Sequence, residues 1–273
     1  MVSEVNNLPV GFFDSGVGGL SVYARFKELL PNENTIYYGD LKNMPYGSKS
    51  RAELIGFARN ILDFYEAKDV KAVVIACNTS SAVAYNEIKD YYKFKIYPVL
   101  QYCAKAVSEM GLSSVGIFAT PATVNSNAYR NEILKYNSNI EVYQEACPNW
   151  TSIVESGMAD YDYVKSDVGE HVCNILKYNP EKIVLGCTHY PYLMNVLTEF
   201  APEEKYIDPA KIFVESIKND LEKSGMLNEN KIAGTEEFYV SANPNDFVKN
   251  SKIFYNIEQE PCLISEILHK TTA

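Results

Sequence analysis

The stretch that most constrains this chain runs from Ala72 to Ala82. A short apolar run, Ala72-Val73-Val74-Ile75-Ala76, ends in Cys77 and then in the small polar residues Asn78, Thr79, Ser80 and Ser81. An unbroken run rich in β-branched residues reads as a strand buried on both faces, and such strands belong to parallel sheets covered by helices. The polar end of the run then stands at the mouth of the sheet and carries a thiol there. The same construction returns as Ile183-Val184-Leu185-Gly186-Cys187-Thr188-His189. Two strands therefore deliver two thiols.

Strand and helix patterns alternate around these two segments. Residues 8–13 read as a first strand ending at Asp14, and Asp14-Ser15-Gly16-Val17-Gly18-Gly19 as a glycine-rich turn into a helix over 20–30. Such a turn admits close backbone approach and sets N–H groups at a helix start, which suits an anion. Its spacing is not the G-x-G-x-x-G dinucleotide fingerprint, and Asp14 would face a pyrophosphate unfavourably. Further strands are expected at 35–40, 72–76, 96–99, 114–120, 141–148, 183–187, 205–207 and 237–241. Pro98 makes the 96–99 strand an edge or a crossover. Helices are expected over 51–68, 80–92, 101–110, from Pro121 through Ser126, Tyr129 and Arg130, over 163–178, from Tyr190 through Phe200, over 215–223 and near 247–255. Pro45-Tyr46-Gly47 is turn chemistry with an aromatic hydroxyl at its tip, a pocket wall or a plain surface turn. The alternation predicts an α/β architecture with mainly parallel sheets and right-handed crossovers.

Composition narrows the function classes. A chain of 273 residues is one large domain or two small ones. Its formal charge of −10, without a run of Lys and Arg, argues against nucleic-acid and membrane-surface binding. No apolar run approaches the roughly 20 residues of a membrane span, and the start Met1-Val2-Ser3-Glu4 lacks the regions of a secretory signal, so a cytoplasmic protein is expected. Six scattered cysteines in such a chain read as reduced thiols.

Asp14, Asp40, Cys77, Thr120, Cys147, Cys187 and Asp208 all fall at the carboxyl ends of expected strands. Ligands of open parallel sheets bind along that edge. Two halves with one thiol each suggest a cleft between them, with the thiols on opposite walls about an approximate two-fold axis. Inverting a carbon centre needs one group to take a proton from one face and another to return one to the opposite face, and two like acid/base groups make this reversible. Asn78, Thr79 and Thr188 supply donors that stabilise a thiolate, and Asp14 and His189 are placed to assist proton transfer. Other readings remain open for the residues alone: a buried cysteine is most often a small hydrophobe, a redox pair lacks a C-x-x-C, a Cys77, Cys187 and His189 metal site lacks tight ligand spacing, and a cysteine–histidine nucleophile would draw its base from elsewhere in the chain. His171 and His269 lie in polar surroundings and read as surface residues. Glu155, taken alone, is ordinarily a solvated acid.

Taken together, Asp14-Ser15-Gly16-Val17-Gly18-Gly19-Leu20, Pro45-Tyr46-Gly47, Ala76-Cys77-Asn78-Thr79 and Leu185-Gly186-Cys187-Thr188-His189-Tyr190-Pro191 closely resemble the glutamate racemases of the cofactor-independent aspartate/glutamate racemase superfamily. The resemblance runs in the right order from about residue 10 to 256. It implies two pseudo-symmetric α/β domains with the active site between them, here 1–97 plus 209–273 and 98–208, with crossings near Tyr97-Pro98 and Asp208-Pro209. It implies that Cys77 removes the α-proton of D-glutamate and Cys187 that of L-glutamate, with Asp14, Glu155 and His189 assisting. By the same resemblance Asp14, Ser15, Tyr46, Gly47, Asn78, Thr79, Thr120, Thr123, Thr188 and His189 contact the substrate, no cofactor or metal takes part, and the enzyme is a cytoplasmic homodimer supplying D-glutamate for peptidoglycan. An aspartate racemase of the same superfamily, or an interaction protein that keeps the fold without the activity, are the alternatives. Residues past Asn256 match nothing and read as a simple tail.

Overall fold

The computed structural model describes residues 2–158 and 160–264, so the expectation for His269 and the end of the tail lie outside the described residues. Ten strands occur among them: β1 (Val10–Asp14), β2 (Thr35–Gly39), β3 (Ala72–Ile75), β4 (Lys95–Pro98), β5 (Ser114–Ala119), β6 (Glu141–Ala146), β7 (Lys182–Gly186), β8 (Tyr206–Ile207), β9 (Glu236–Val240) and β10 (Cys262–Leu263). They form a six-stranded sheet in the order β10-β9-β2-β1-β3-β4 and a four-stranded sheet in the order β6-β5-β7-β8. Every pairing is parallel.

The two sheets repeat one topology. The order β2-β1-β3-β4 in the first matches β6-β5-β7-β8 in the second, so β3, which leads to Cys77, and β7, which leads to Cys187, hold equivalent places. The central strands β1, β3 and β5 are buried at every residue, as their apolar runs require of strands covered by helices on both faces. β4, with its proline, is an edge strand. Helices flank both sheets, and the longest of them, Arg51–Ala67, starts at a capping box in which Ser50 and Glu53 satisfy each other's backbone N–H groups. An apolar cluster runs from Phe12 and Tyr37 of the first sheet to Phe118, Trp150 and Tyr190 beside the second.

Several helices are shorter than their patterns suggest. The helix expected over 80–92 is two pieces, Asn78–Val83 and Tyr85–Ile88, and begins with Cys77 as its N-cap. The helix from Pro121 stops at Ser126 because Asn127 turns left-handed at φ 55°, and a new helix, Ala128–Tyr136, follows. The stretch from Tyr190 is a 3₁₀ turn, Tyr190–Leu193, before the single α-turn Met194–Leu197. The helix expected at 215–223 begins earlier, at Pro209, where proline's fixed φ favours the first turn. The segment past Asn256 is more than a tail: Cys262 and Leu263 pair with Tyr239 and Val240 and extend the first sheet by a strand. His171 is half-buried rather than free at the surface, with its Nδ1 2.7 Å from Glu145 Oε1 and its ring edge-on to Trp150.

One ion pair ties the outer end of the first sheet together. Lys71 Nζ stands 2.5 Å from Glu33 Oε2 with both side chains closed to solvent, and it donates to the carbonyls of Asn6 and Met226 at 2.7 and 2.9 Å. The N–H of Asn228 donates to the other Glu33 oxygen at 2.8 Å. Removing one member strands a buried charge, which costs far more than the pair contributes. Lys71→Met should therefore lose about 3–5 kcal/mol in urea unfolding followed by circular dichroism, and Lys71→Met combined with Glu33→Leu should regain most of that loss.

Candidate active site

The carboxyl ends of the equivalent strands face a common cleft of about 190 Å³, below the roughly 300 Å³ at which pockets for drug-sized molecules begin. A small substrate fits such a space. One wall comes from the first half: Asp14 and Ser15 after β1, Tyr46 and Gly47 after β2, and Cys77, Asn78 and Thr79 after β3. The facing wall comes from the second half: Thr120 after β5 and Cys187, Thr188 and His189 after β7. Both thiols are buried and free of disulfides. Among the described residues no three His, Cys, Asp or Glu side chains stand together so as to hold a metal ion.

Thr123 and Glu155 do not line the cleft but stand behind residues that do. Thr120 Oγ1 meets Thr79 Oγ1 at 2.9 Å and Thr123 Oγ1 at 3.0 Å, and Thr123 Oγ1 reaches Thr79 at 3.3 Å. These three hydroxyls bridge the two halves. Glu155 Oε1 lies 3.0 Å from His189 Nε2, while His189 Nδ1 lies 3.7 Å from Cys187 Sγ. The imidazole is thus held between a carboxylate and a thiol.

Two N–H groups of the glycine-rich turn are taken up by its own aspartate. The Gly16 N–H donates to Asp14 Oδ2 at 3.1 Å, and the Gly19 N–H is directed at the same carboxylate. Gly18 leaves room for the second half: a Cβ there would stand 2.4 Å from His189 Cε1. The tip of the Pro45-Tyr46-Gly47 turn is a cleft wall and not a surface turn, with the Tyr46 hydroxyl donating to the buried Asp40 carboxylate at 2.5 Å. Gly47 in turn admits Thr120, whose Cβ lies 3.0 Å from where a side chain would start.

Burial sets the charge states. It pushes the Cys77 thiol up to about 12, helped by the charge of Asp14 and opposed by the Ser80 N–H, which donates to the sulfur at 3.4 Å. It also raises the Asp14 carboxyl, against the pull of His189 and the two glycine N–H groups. Burial works against a charged His189, but its contacts with Cys187 and Glu155 outweigh that and lift it to about 10. At neutral pH the cleft therefore holds a protonated thiol on one wall and an imidazolium against the other thiol.

Sequence reasoning missed Pro45, Ser48, Pro121, Pro148, Thr151 and Ser152, which complete the lining. Thr151 matters most, because its Oγ1 lies 3.8 Å from Cys187 Sγ. Its only sequence signal was position, just past the strand that ends at Cys147.

Residues 12–217 match the family model described as Asp/Glu/Hydantoin racemase. The chain is 39% identical to a glutamate racemase of Nostoc sp. over 89% of its own length and 83% of that protein. It is 38% identical to a glutamate racemase of Thermoanaerobacter sp., covering 95% of this chain and 97% of the relative. The crystal structure of the Francisella tularensis glutamate racemase in complex with D-glutamate matches with a TM-score of 0.89 at 34% identity, over 95% of this chain and 98% of that one. The paired sheets, the shared cleft and these matches agree that the chain belongs to the Asp/Glu/hydantoin racemase family and, within it, to the glutamate racemases, which are amino-acid isomerases.

Proposed function

We propose that this chain interconverts L-glutamate and D-glutamate without a cofactor, by a two-base mechanism in which Cys77 and Cys187 act on opposite faces of the α-carbon. The observation that carries this reading is the placement of the two thiols at equivalent strand ends of two like sheets, opening on one small cleft. Such a reaction needs one sulfur charged and the other protonated at the start of each turnover, since one must accept a proton while the other gives one. Cys77 keeps its proton because burial holds its pKa at about 12, and the cationic ring of His189 offers Cys187 the partner a thiolate needs.

In that state Cys187 takes the α-proton of L-glutamate and Cys77 delivers its own to the other face, giving D-glutamate. The reverse reaction starts with the proton on Cys187 and the charge on Cys77, beside Asp14. The buried Asp14 carboxyl, its pKa raised by burial, assists Cys77 as His189 and Glu155 assist Cys187. Ser15, Asn78, Thr79, Thr120 and Thr188 supply the hydroxyl and amide donors that two carboxylates require, and Tyr46, Gly47 and Thr123 shape the walls behind them. Sheet membership supports domains at 1–97 with 209–273 and at 98–208. The family resemblance adds a cytoplasmic homodimer whose D-glutamate feeds peptidoglycan synthesis.

Circular dichroism at a far-UV glutamate band, with reductant and no added cofactor, tests the reaction. D-glutamate should lose its optical activity, and Cys77→Ala and Cys187→Ala should each lower kcat by about 10²–10⁴-fold. Loss of signal with D-aspartate alone would move the protein to a different substrate, and silence with both would end the enzymatic reading.

The charge on His189 has its own signature. A folded pKa of about 10 lies above the roughly 6.5 of an unfolded imidazole, so the fold binds this proton more tightly than the open chain does. The resulting stability is complete below about pH 6.5 and is lost as pH climbs to about 10. The urea midpoint difference between the parent protein and His189→Asn should shrink steadily across that window.

A further inference from the structure

We propose that Tyr129, a residue outside the cleft, is a positioning residue that fixes which end of the Asn78 amide meets the substrate. Tyr129 lies on the helix Ala128–Tyr136 of the second half and is fully buried. Its hydroxyl donates to Asn78 Oδ1 at 2.7 Å, across to the helix Asn78–Val83 of the first half. Asn78 itself lines the cleft.

An asparagine amide has an accepting end and a donating end of nearly the same shape, so its direction is set by its partners. A buried phenol needs an acceptor for its proton. Around Tyr129 the candidates are Asn78 Oδ1, to which its hydroxyl donates at 2.7 Å, and the buried Cys103 thiol. Sulfur is the weaker acceptor, so the phenol proton goes to Asn78 Oδ1. With Oδ1 so occupied, Nδ2 must face the other way. Among the described residues Nδ2 donates to no side chain or carbonyl, and its two hydrogens are free for a ligand in the cleft.

The consequence is a chosen polarity. A fixed amide N–H₂ greets a carboxylate, whereas a flipped amide would present its oxygen and repel one. The Tyr129 hydroxyl thereby contributes to recognition of an anionic amino acid from the opposite half of the molecule, and its help depends on the two halves standing as they do here, with Thr79 and Thr120 also joined at 2.9 Å. This inference rests on the reading of Asn78 as a substrate contact.

Steady-state racemisation of D-glutamate by four forms of the full chain tests it: the parent, Tyr129→Phe, Asn78→Ala and the double variant. Tyr129→Phe keeps the ring and removes only the hydroxyl, and it should raise KM about tenfold while kcat holds within about twofold. In the Asn78→Ala background the same change should leave KM where Asn78→Ala alone puts it. A Tyr129→Phe KM equal to the parent's, or an equal rise in both backgrounds, would overturn the positioning role while leaving Asn78 a substrate contact. An Asn78→Ala KM equal to the parent's would remove Asn78 from the binding site and the proposal with it.

Discussion

The turn after β1 packs against the loop after β7 with no room for a side chain between them, and the site depends on it. A methyl group at Gly18 would stand 2.4 Å from His189 Cε1 and 2.6 Å from Thr188 Oγ1, well inside van der Waals contact. One residue on, a Cβ at Gly19 would meet Asp14 Cβ at 2.4 Å and the Tyr37 hydroxyl at 2.8 Å. Bare backbone at these two positions lets Asp14 and His189 come near enough for their charges to interact. Both side chains are buried, and burial is what makes each charge count.

Two thiols alike in topology are thereby given unlike surroundings. Cys77 has a carboxylate for a neighbour and keeps its proton; Cys187 has an imidazole braced by Glu155. Chain topology supplies two equivalent thiol positions, and the residues that follow β1 and β7 give them different neighbours. The polar groups between the thiols are held in their turn from outside the cleft: Tyr46 by Asp40, Asn78 by Tyr129, and Thr79 and Thr120 by each other. Each tether has at least one end in a place closed to water, where an unmade hydrogen bond is costly.

Strand ends were the legible part of this protein. A buried parallel strand must be apolar along its length and turns polar only where it leaves the sheet, so Asp14, Cys77, Thr120 and Cys187 announced themselves through the contrast with the runs before them. Helix extents were less legible. The pattern through Tyr129 and Arg130 continues smoothly past Asn127, yet the backbone turns left-handed there, a conformation asparagine tolerates without demanding it. The strand Cys262–Leu263 was invisible because two residues show no period, and only the exposed edge of β9 gives them a partner. Thr151, Thr123 and Tyr129 illustrate the same limit within the site. Each is an ordinary residue in an ordinary helix until the fold brings distant parts of the chain against it.

The order of apolar and polar residues along the chain was enough to determine the alternation of strand and helix, the edge of the sheets at which chemistry would collect, and the two cysteines delivered to it. Those are consequences of burial acting on local segments. Tertiary structure alone decided that two N–H groups of the glycine-rich turn would meet its own aspartate, that Glu155 would stand behind His189, and that one thiol would be paired with a cation and the other with an acid. Hydrogen bonds and charge interactions act over a few ångströms between residues far apart in the chain, 175 positions for Asp14 and His189, and no local pattern in the chain records which distant groups will be pressed together.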